Sequence, residues 1–96
     1  MYAVIFRAQI ASVDDDYRQT AARLREIAID KYGCLEFTSV SEGDNEISIS
    51  YWKNEHQIES WKNDKEHRKV QEKGKDSWYR SYNVQVVEVI REYEKR

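Results

Sequence analysis

The chain contains no proline, one cysteine and three glycines among its 96 residues. A chain of this length and average composition would hold about five prolines, so a proline-rich linker or recognition tail is excluded. A lone Cys34 cannot close an internal disulfide. Cys-x-x-Cys, His-Glu-x-x-His, Gly-x-Ser-x-Gly and the glycine-rich phosphate loop are all missing. There is no cationic excess either: sixteen Lys and Arg stand against eighteen Asp and Glu, a net charge of -2. No positive field draws nucleic acid or an anionic membrane, and neither is expected as a partner. Without a signal peptide or an apolar run approaching about 18 residues, the expectation is a soluble, cytoplasmic protein.

What the sequence has in excess is aromatic area: three Trp, seven Tyr and two Phe. Disordered chains are poor in such residues. At 11.5 kDa a single domain over residues 1–96 is expected. So small a domain buries only about 60 to 65% of its unfolded surface, and an oligomer interface would add useful burial. Basic residues gather between Lys62 and Arg80, among them Lys73 and Lys75, with acids such as Glu66 and Asp76 between them. That interleaving describes a solvated helix face rather than an anion site.

Periodicity gives the order of elements. Residues 2–10 alternate, with Tyr2, Val4, Phe6, Ala8 and Ile10 on one side, which predicts a strand. Ser12 followed by Asp14, Asp15 and Asp16 predicts a capped, acidic helix start. Tyr17, Ala21, Leu24 and Ala28 then form its apolar stripe, edged by Ile27 and Tyr32. Gly33 is the expected stop. Residues 34–40, with Leu35 and Phe37 on one face, pair across a 42–45 turn with Ile47, Ile49 and Tyr51 in a hairpin. Asn54 and Gln57 have the spacing of a capping box opening a second helical region. Its buried side carries Ile58 and Trp61, and after His67 and Val70 it ends near Gly74. The last run, residues 82–90, is a strand with valines on both faces.

A strand apolar on both faces needs cover on both. The order β, α, β, β, α, β is the split βαβ of α+β ferredoxin-like folds, an antiparallel sheet with its helices on one side. A second copy packed on the other side would supply the missing cover, so a homodimer is expected, with the last strand in its interface.

This order, the segment 49–61 (ISYWKNEHQIESW), the following Glu66-His67-Arg68 and the closing segment 78–82 (WYRSY) resemble the antibiotic biosynthesis monooxygenase family of dimeric α+β barrels. The resemblance covers essentially the whole chain. It is specific for the fold and weak for the reaction, because the family includes quinol and anthrone monooxygenases, haem-degrading enzymes and members of no known activity. The resemblance implies a cofactor-independent monooxygenase using neither flavin nor metal. A small aromatic or quinol-like substrate is deprotonated and its carbanion meets molecular oxygen directly. Such chemistry needs an apolar pocket, one group to take or steer a proton, and exclusion of bulk water. Haem-degrading members place a histidine ten residues beyond the helix tryptophan. Here that position is Gln71, while His67 lies six beyond Trp61, which disfavours haem degradation. A non-catalytic, stress-response binder of a small ligand or haem on the same fold is the alternative.

His67 is the imidazole assigned to the aromatic cluster, and its ordinary pKa near 6.5 suits proton transfer around neutrality; hydrogen bonding inside a helix turn is the competing role. Trp61, Phe6, Phe37, Tyr51 and Trp78 are the candidate walls of a substrate pocket. Each could equally be core, and Trp78, Tyr79 and Tyr82 equally a dimer seam. His56 is expected exposed and Cys34 a small buried apolar residue. No metal ligands and no cofactor are expected.

Overall fold

The computed structural model describes residues 1–73 and 77–95. Gly74, Lys75 and Asp76, named above as a helix stop and part of the charged face, lie outside the described residues. Seven elements follow in chain order: β1 (Tyr2–Ile10), α1 (Asp15–Tyr32), β2 (Glu36–Glu42), β3 (Asn45–Trp52), α2 (Glu55–Lys62), α3 (Lys65–Lys73) and β4 (Tyr79–Glu88). The strands form one antiparallel sheet in the order β2-β3-β1-β4. This is the ferredoxin-like α+β fold, with the second helical region divided into two.

Local chemistry explains the boundaries. The cap of α1 is Asp14, not Ser12: its carboxylate accepts the Tyr17 amide at 2.8 Å. Ser12 instead donates to the Ser77 carbonyl at 3.2 Å, tying the start of the β1–α1 connection to the approach of β4. Gly33 ends α1 at φ 79°, where its amide meets the Ala28 carbonyl. The left-handed conformation calls for glycine; a Cβ there would lie 2.8 Å from Gln57 Nε2, the end of a side chain that can swing aside. Gly43 turns the β2–β3 hairpin at φ 58°. Asn54 caps α2 by accepting the Gln57 amide at 3.0 Å. The reciprocal half of the expected capping box is not made, because the Gln57 side chain turns toward Gly33 instead. The break after α2 falls at Asp64, whose carboxylate accepts the amides of Glu66 (2.9 Å) and His67 (3.4 Å) and starts α3.

The register sorts side chains into two faces. Tyr2, Val4, Phe6, Ala8 and Ile10 face the helices, alongside Trp52, Ser50 and Glu46 of β3, Phe37, Ser39 and Ser41 of β2, and Tyr82, Val84 and Val86 of β4. Two buried clusters result on the helix side. One joins Val4, Ile27, Ala28, Cys34, Trp52, Ile58 and Trp61. The other joins Ala8, Ile10, Tyr17 and Trp78, with Phe6, Val70 and Tyr79 packed against it. Ala21, placed on the buried stripe by periodicity, is exposed, and so is Leu35 at 60%. Leu35 stands just before β2, where no helix covers it.

The opposite face carries Ala3, Ile5, Ile47, Ile49, Tyr51 and Val87, with Val40 at the β2 edge. No element of the described chain lies over it. The helices also stop short of β4, leaving Val84 and Val86 about half exposed (50% and 48%). The two-sided valine pattern thus belongs to an edge strand uncovered on both faces within one chain. Among the described residues no helix is long and apolar enough to cross a membrane.

Candidate functional site

The six expected site residues do not converge on one point. Trp61, Phe37 and His67 meet in the first cluster. Trp61, at the buried end of α2, lies 5.2 Å from the Trp52 ring, and Phe37 approaches it edge-on at 6.0 Å. The His67 ring stacks on Trp61 at 4.1 Å with the planes 21° apart. Phe6 and Trp78 belong to the second cluster. Phe6 contacts Tyr79 (5.4 Å) and Tyr82 (6.0 Å), while Trp78, 2% exposed, is edge-on to Tyr17 at 5.1 Å. So deep a Trp78 is core of its own chain rather than a surface seam. Tyr51 lies on the sheet face away from the helices. Cys34 is buried as expected, and burial pushes its thiol above the ordinary range.

The chemistry of His67 is set by its packing. Its Nδ1 lies 3.1 Å from the Trp61 carbonyl oxygen. A carbonyl only accepts, so Nδ1 carries the proton and Nε2 holds the free lone pair. Burial holds its pKa below the ordinary value of 6.5, opposed by the Trp61 carbonyl and the Asp64 carboxylate. The ring is therefore neutral at neutral pH and basic at Nε2. Asp64 is kept acidic chiefly by the Tyr32 hydroxyl, which donates to it at 2.6 Å. Two buried polar atoms have no hydrogen-bond partner among the described residues: Trp61 Nε1, a donor on the ring stacked with His67, and Gln57 Oε1, an acceptor beside Gly33. Residues four apart on a helix share a face, so both side chains lie on the buried side of α2. Buried polar atoms are nearly always satisfied, and such an exception calls for an explanation in function or strain.

A cleft of about 560 Å³ opens between α1 and the β2–β3 hairpin. Its walls are Ile10, Val13, Tyr17, Ala21 and Ala22; its polar groups are Arg18, Arg25, Ser39, Ser41, Asp44 and Glu46. Ala21 is exposed because it lines this cleft: side chains of one carbon do not reach the strands, and the gap stays open. None of the six expected residues lines it. Phe37 stands at its end, since along the helix-facing side of β2 Ser39 and Ser41 line the cleft while Phe37 meets Trp61. Arg25 ties the two regions together, its guanidinium 5.6 Å from the Phe37 ring centre. At the floor the Tyr17 hydroxyl donates to Glu46 Oε2. Burial, the Glu46 carboxylate and the adjacent Tyr79 push the Tyr17 hydroxyl far above its ordinary range, so it stays protonated. Periodicity had placed Tyr17 only as core. Glu46 carried no sequence signal, because nothing in a hairpin's alternation announces a carboxylate turned toward a helix.

These features define a ferredoxin-like domain with its candidate site on the helix side of the sheet, the fold of antibiotic biosynthesis monooxygenases. Three solved structures illustrate the likeness. SnoaB, a cofactor-independent oxygenase from Streptomyces nogalater, matches with a TM-score of 0.82 over 98% of this chain and 97% of its own, at 8% identity. PA3566 from Pseudomonas aeruginosa gives 0.76 over 94% of each chain at 12% identity. A candidate antibiotic biosynthesis monooxygenase from Nitrosomonas europaea gives 0.75 over 95% of this chain and 100% of its own at 12% identity. No protein-family model matches the chain. By sequence it belongs to the same family as the uncharacterized protein YqjZ of Bacillus subtilis, 40% identical over 92 residues covering 95% of this chain and 81% of that protein.

Proposed function

We propose that the protein is a cofactor-independent monooxygenase that oxidises a small aromatic or quinol-like compound with molecular oxygen, working as a homodimer in the cytoplasm. The observation that carries this reading is a neutral His67 stacked on Trp61, whose buried Nε1 has no hydrogen-bond partner among the described residues. A substrate hydroxyl accepts from Trp61 Nε1 and turns its own proton to His67, while the Trp61, Trp52 and Phe37 rings suit a flat molecule. His67 Nε2 accepts the proton. The resulting carbanion is oxidised by oxygen, one atom entering the product and the other leaving as water with the substrate's two hydrogens. The cleft is the route of approach, with Phe37 beyond its inner end; Phe6 and Trp78 back the adjoining cluster. Likeness of fold to SnoaB, an oxygenase that uses no cofactor, supports the same class of chemistry.

The open sheet face supports the dimer. Ile5, Ile47, Ile49, Tyr51 and Val87 form an apolar patch on it, bordered by the Arg7–Gln85 hydrogen bond, and a second copy covers that patch with the smallest change to the chain. In this arrangement Tyr51 belongs to the dimer rather than to the pocket.

Oxygen uptake by metal-free protein with a panel of hydroquinones and anthrones tests the reading. Uptake abolished in His67→Ala with an unchanged fold is the expected result. Full retention of uptake removes His67 from its role, and no uptake with any compound removes the oxygenase reading. A second reading, the non-catalytic binder of a small ligand or haem, draws on the close stacking of His67 against Trp61. It predicts ligand binding without uptake, and a Soret shift if haem is the ligand.

A further inference from the structure

The cleft between α1 and the β2–β3 hairpin has a charge arrangement that the oxygenase reading does not use. Four ionisable side chains of opposite signs line it: Arg18, Arg25, Asp44 and Glu46. Two are already paired, Arg18 with Asp15 at 3.4 Å and Asp44 with Arg80 at 3.2 Å. Arg25 has no carboxylate partner among the described residues, and its guanidinium lies over the Phe37 ring instead. The Glu46 carboxylate receives the Tyr17 hydroxyl on Oε2 only, which leaves Oε1 as an acceptor toward the cleft. One unpaired cation and one half-satisfied carboxylate therefore face a common space whose α1 side is apolar at Tyr17, Ala21 and Ala22 and whose hairpin side carries Ser39 and Ser41.

We propose that this cleft binds hydroxylated aromatic acids, the ring lying against Ile10, Val13, Ala21 and Ala22, the hydroxyl donating to Glu46 and the carboxylate pairing with Arg25. The volume, about 560 Å³, falls in the roughly 300–1,000 Å³ range of small-molecule sites. Recognition needs both polar ends. A carboxylate without a hydroxyl leaves Glu46 facing an apolar ring edge, and a phenol without a carboxylate leaves Arg25 unpaired. An anion alone is repelled by Glu46, and a cation alone by Arg25, so the pair selects a bifunctional ligand. The Tyr17 hydroxyl holds the Glu46 carboxylate in place, and burial beside that carboxylate keeps the hydroxyl protonated. The inference goes beyond the oxygenase reading: it assigns a second ligand site, distinct from the His67–Trp61 cluster, and shares with that reading only the side of the sheet.

Calorimetric titration of the full chain under anaerobic conditions tests it, with 3- and 4-hydroxybenzoate, benzoate and phenol as probes. At least one hydroxybenzoate is expected to bind about tenfold or more tightly than both benzoate and phenol, the effect of one hydrogen bond to a charged group. Glu46→Ala is expected to remove the advantage over benzoate, and Arg25→Ala the advantage over phenol. The comparison among probes on the unaltered protein needs no variant to fold. Benzoate or phenol binding as well as the hydroxybenzoates overturns the proposal, as does no binding by any probe at about 10 mM. Persistence of either advantage in its folded variant overturns it as well. Because oxygen is absent, loss of uptake with intact binding sinks only the oxygenase reading, and loss of binding with intact uptake sinks only this one.

Discussion

Replacing Tyr17 by Phe removes one hydroxyl and leaves the ring. The ring is 8% exposed and keeps its edge-on contacts with Trp78 at 5.1 Å and Tyr79 at 6.0 Å, so the apolar packing of the second cluster is unchanged. What is lost is the hydrogen bond to Glu46. A bond to a charged acceptor contributes about 1.5–3 kcal/mol net. Glu46 is only partly buried, and water can take over its freed oxygen, which places the expected loss at about 1–2 kcal/mol. For a domain of this size each kcal/mol shifts Tm by about 4–8 °C. Urea unfolding followed by tryptophan fluorescence measures the loss directly, since Trp52 and Trp78 are 0% and 2% exposed. The paired measurement is a double-mutant cycle with Glu46→Ala, in which Tyr17→Phe should cost markedly less because its partner is already gone. A loss below about 0.3 kcal/mol, or the same loss with and without Glu46, refutes the view that this bond organises the cleft floor.

Two other outcomes follow from the same geometry. Burial lowers the His67 pKa in the folded chain, so below the unfolded value of about 6.5 the unfolded chain binds a proton that the folded chain lacks. Stability is retained above that pH and falls as pH drops from about 6.5 toward the folded pKa. Comparing urea midpoints at several acidities for the native chain and His67→Gln should show a shallower acid-side decline in the variant, and identical declines contradict the buried neutral imidazole. For the homodimer, sedimentation at micromolar concentration should give about twice the 11.5 kDa chain mass. Ile47→Asp, on the open face across from Arg7, should return the chain to monomer with the fold intact, whereas a monomeric native chain contradicts the pairing of open faces.

Much of the architecture is written in local chemistry. Strict alternation over residues 2–10 and the positive-φ demands at Gly33 and Gly43 act within a few residues of chain, and the observed elements follow them closely. Errors arose where one local solution competed with another of similar energy. Ser12 and Asp14 can both cap a helix; α1 starts at Asp15 and takes Asp14, while Ser12, two residues further out, donates to Ser77, a residue 65 positions away. Gln57 could have closed a capping box with Asn54, but Gly33 left room for its side chain beside the end of α1.

Sequence alone determined the order of elements, the stacking partners available and the isolation of Cys34, because propensity, periodicity and capping are short-range. Only the tertiary structure decided which aromatics meet. Trp61 and His67, six residues apart, stack because Asp64 breaks the helix between them, and Tyr51 faces away from both because a strand's register sends alternate residues to opposite sides. The cleft and its Tyr17–Glu46 floor are likewise tertiary. An alanine's failure to fill a gap, and a carboxylate's position beneath a helix, depend on what the fold brings opposite them.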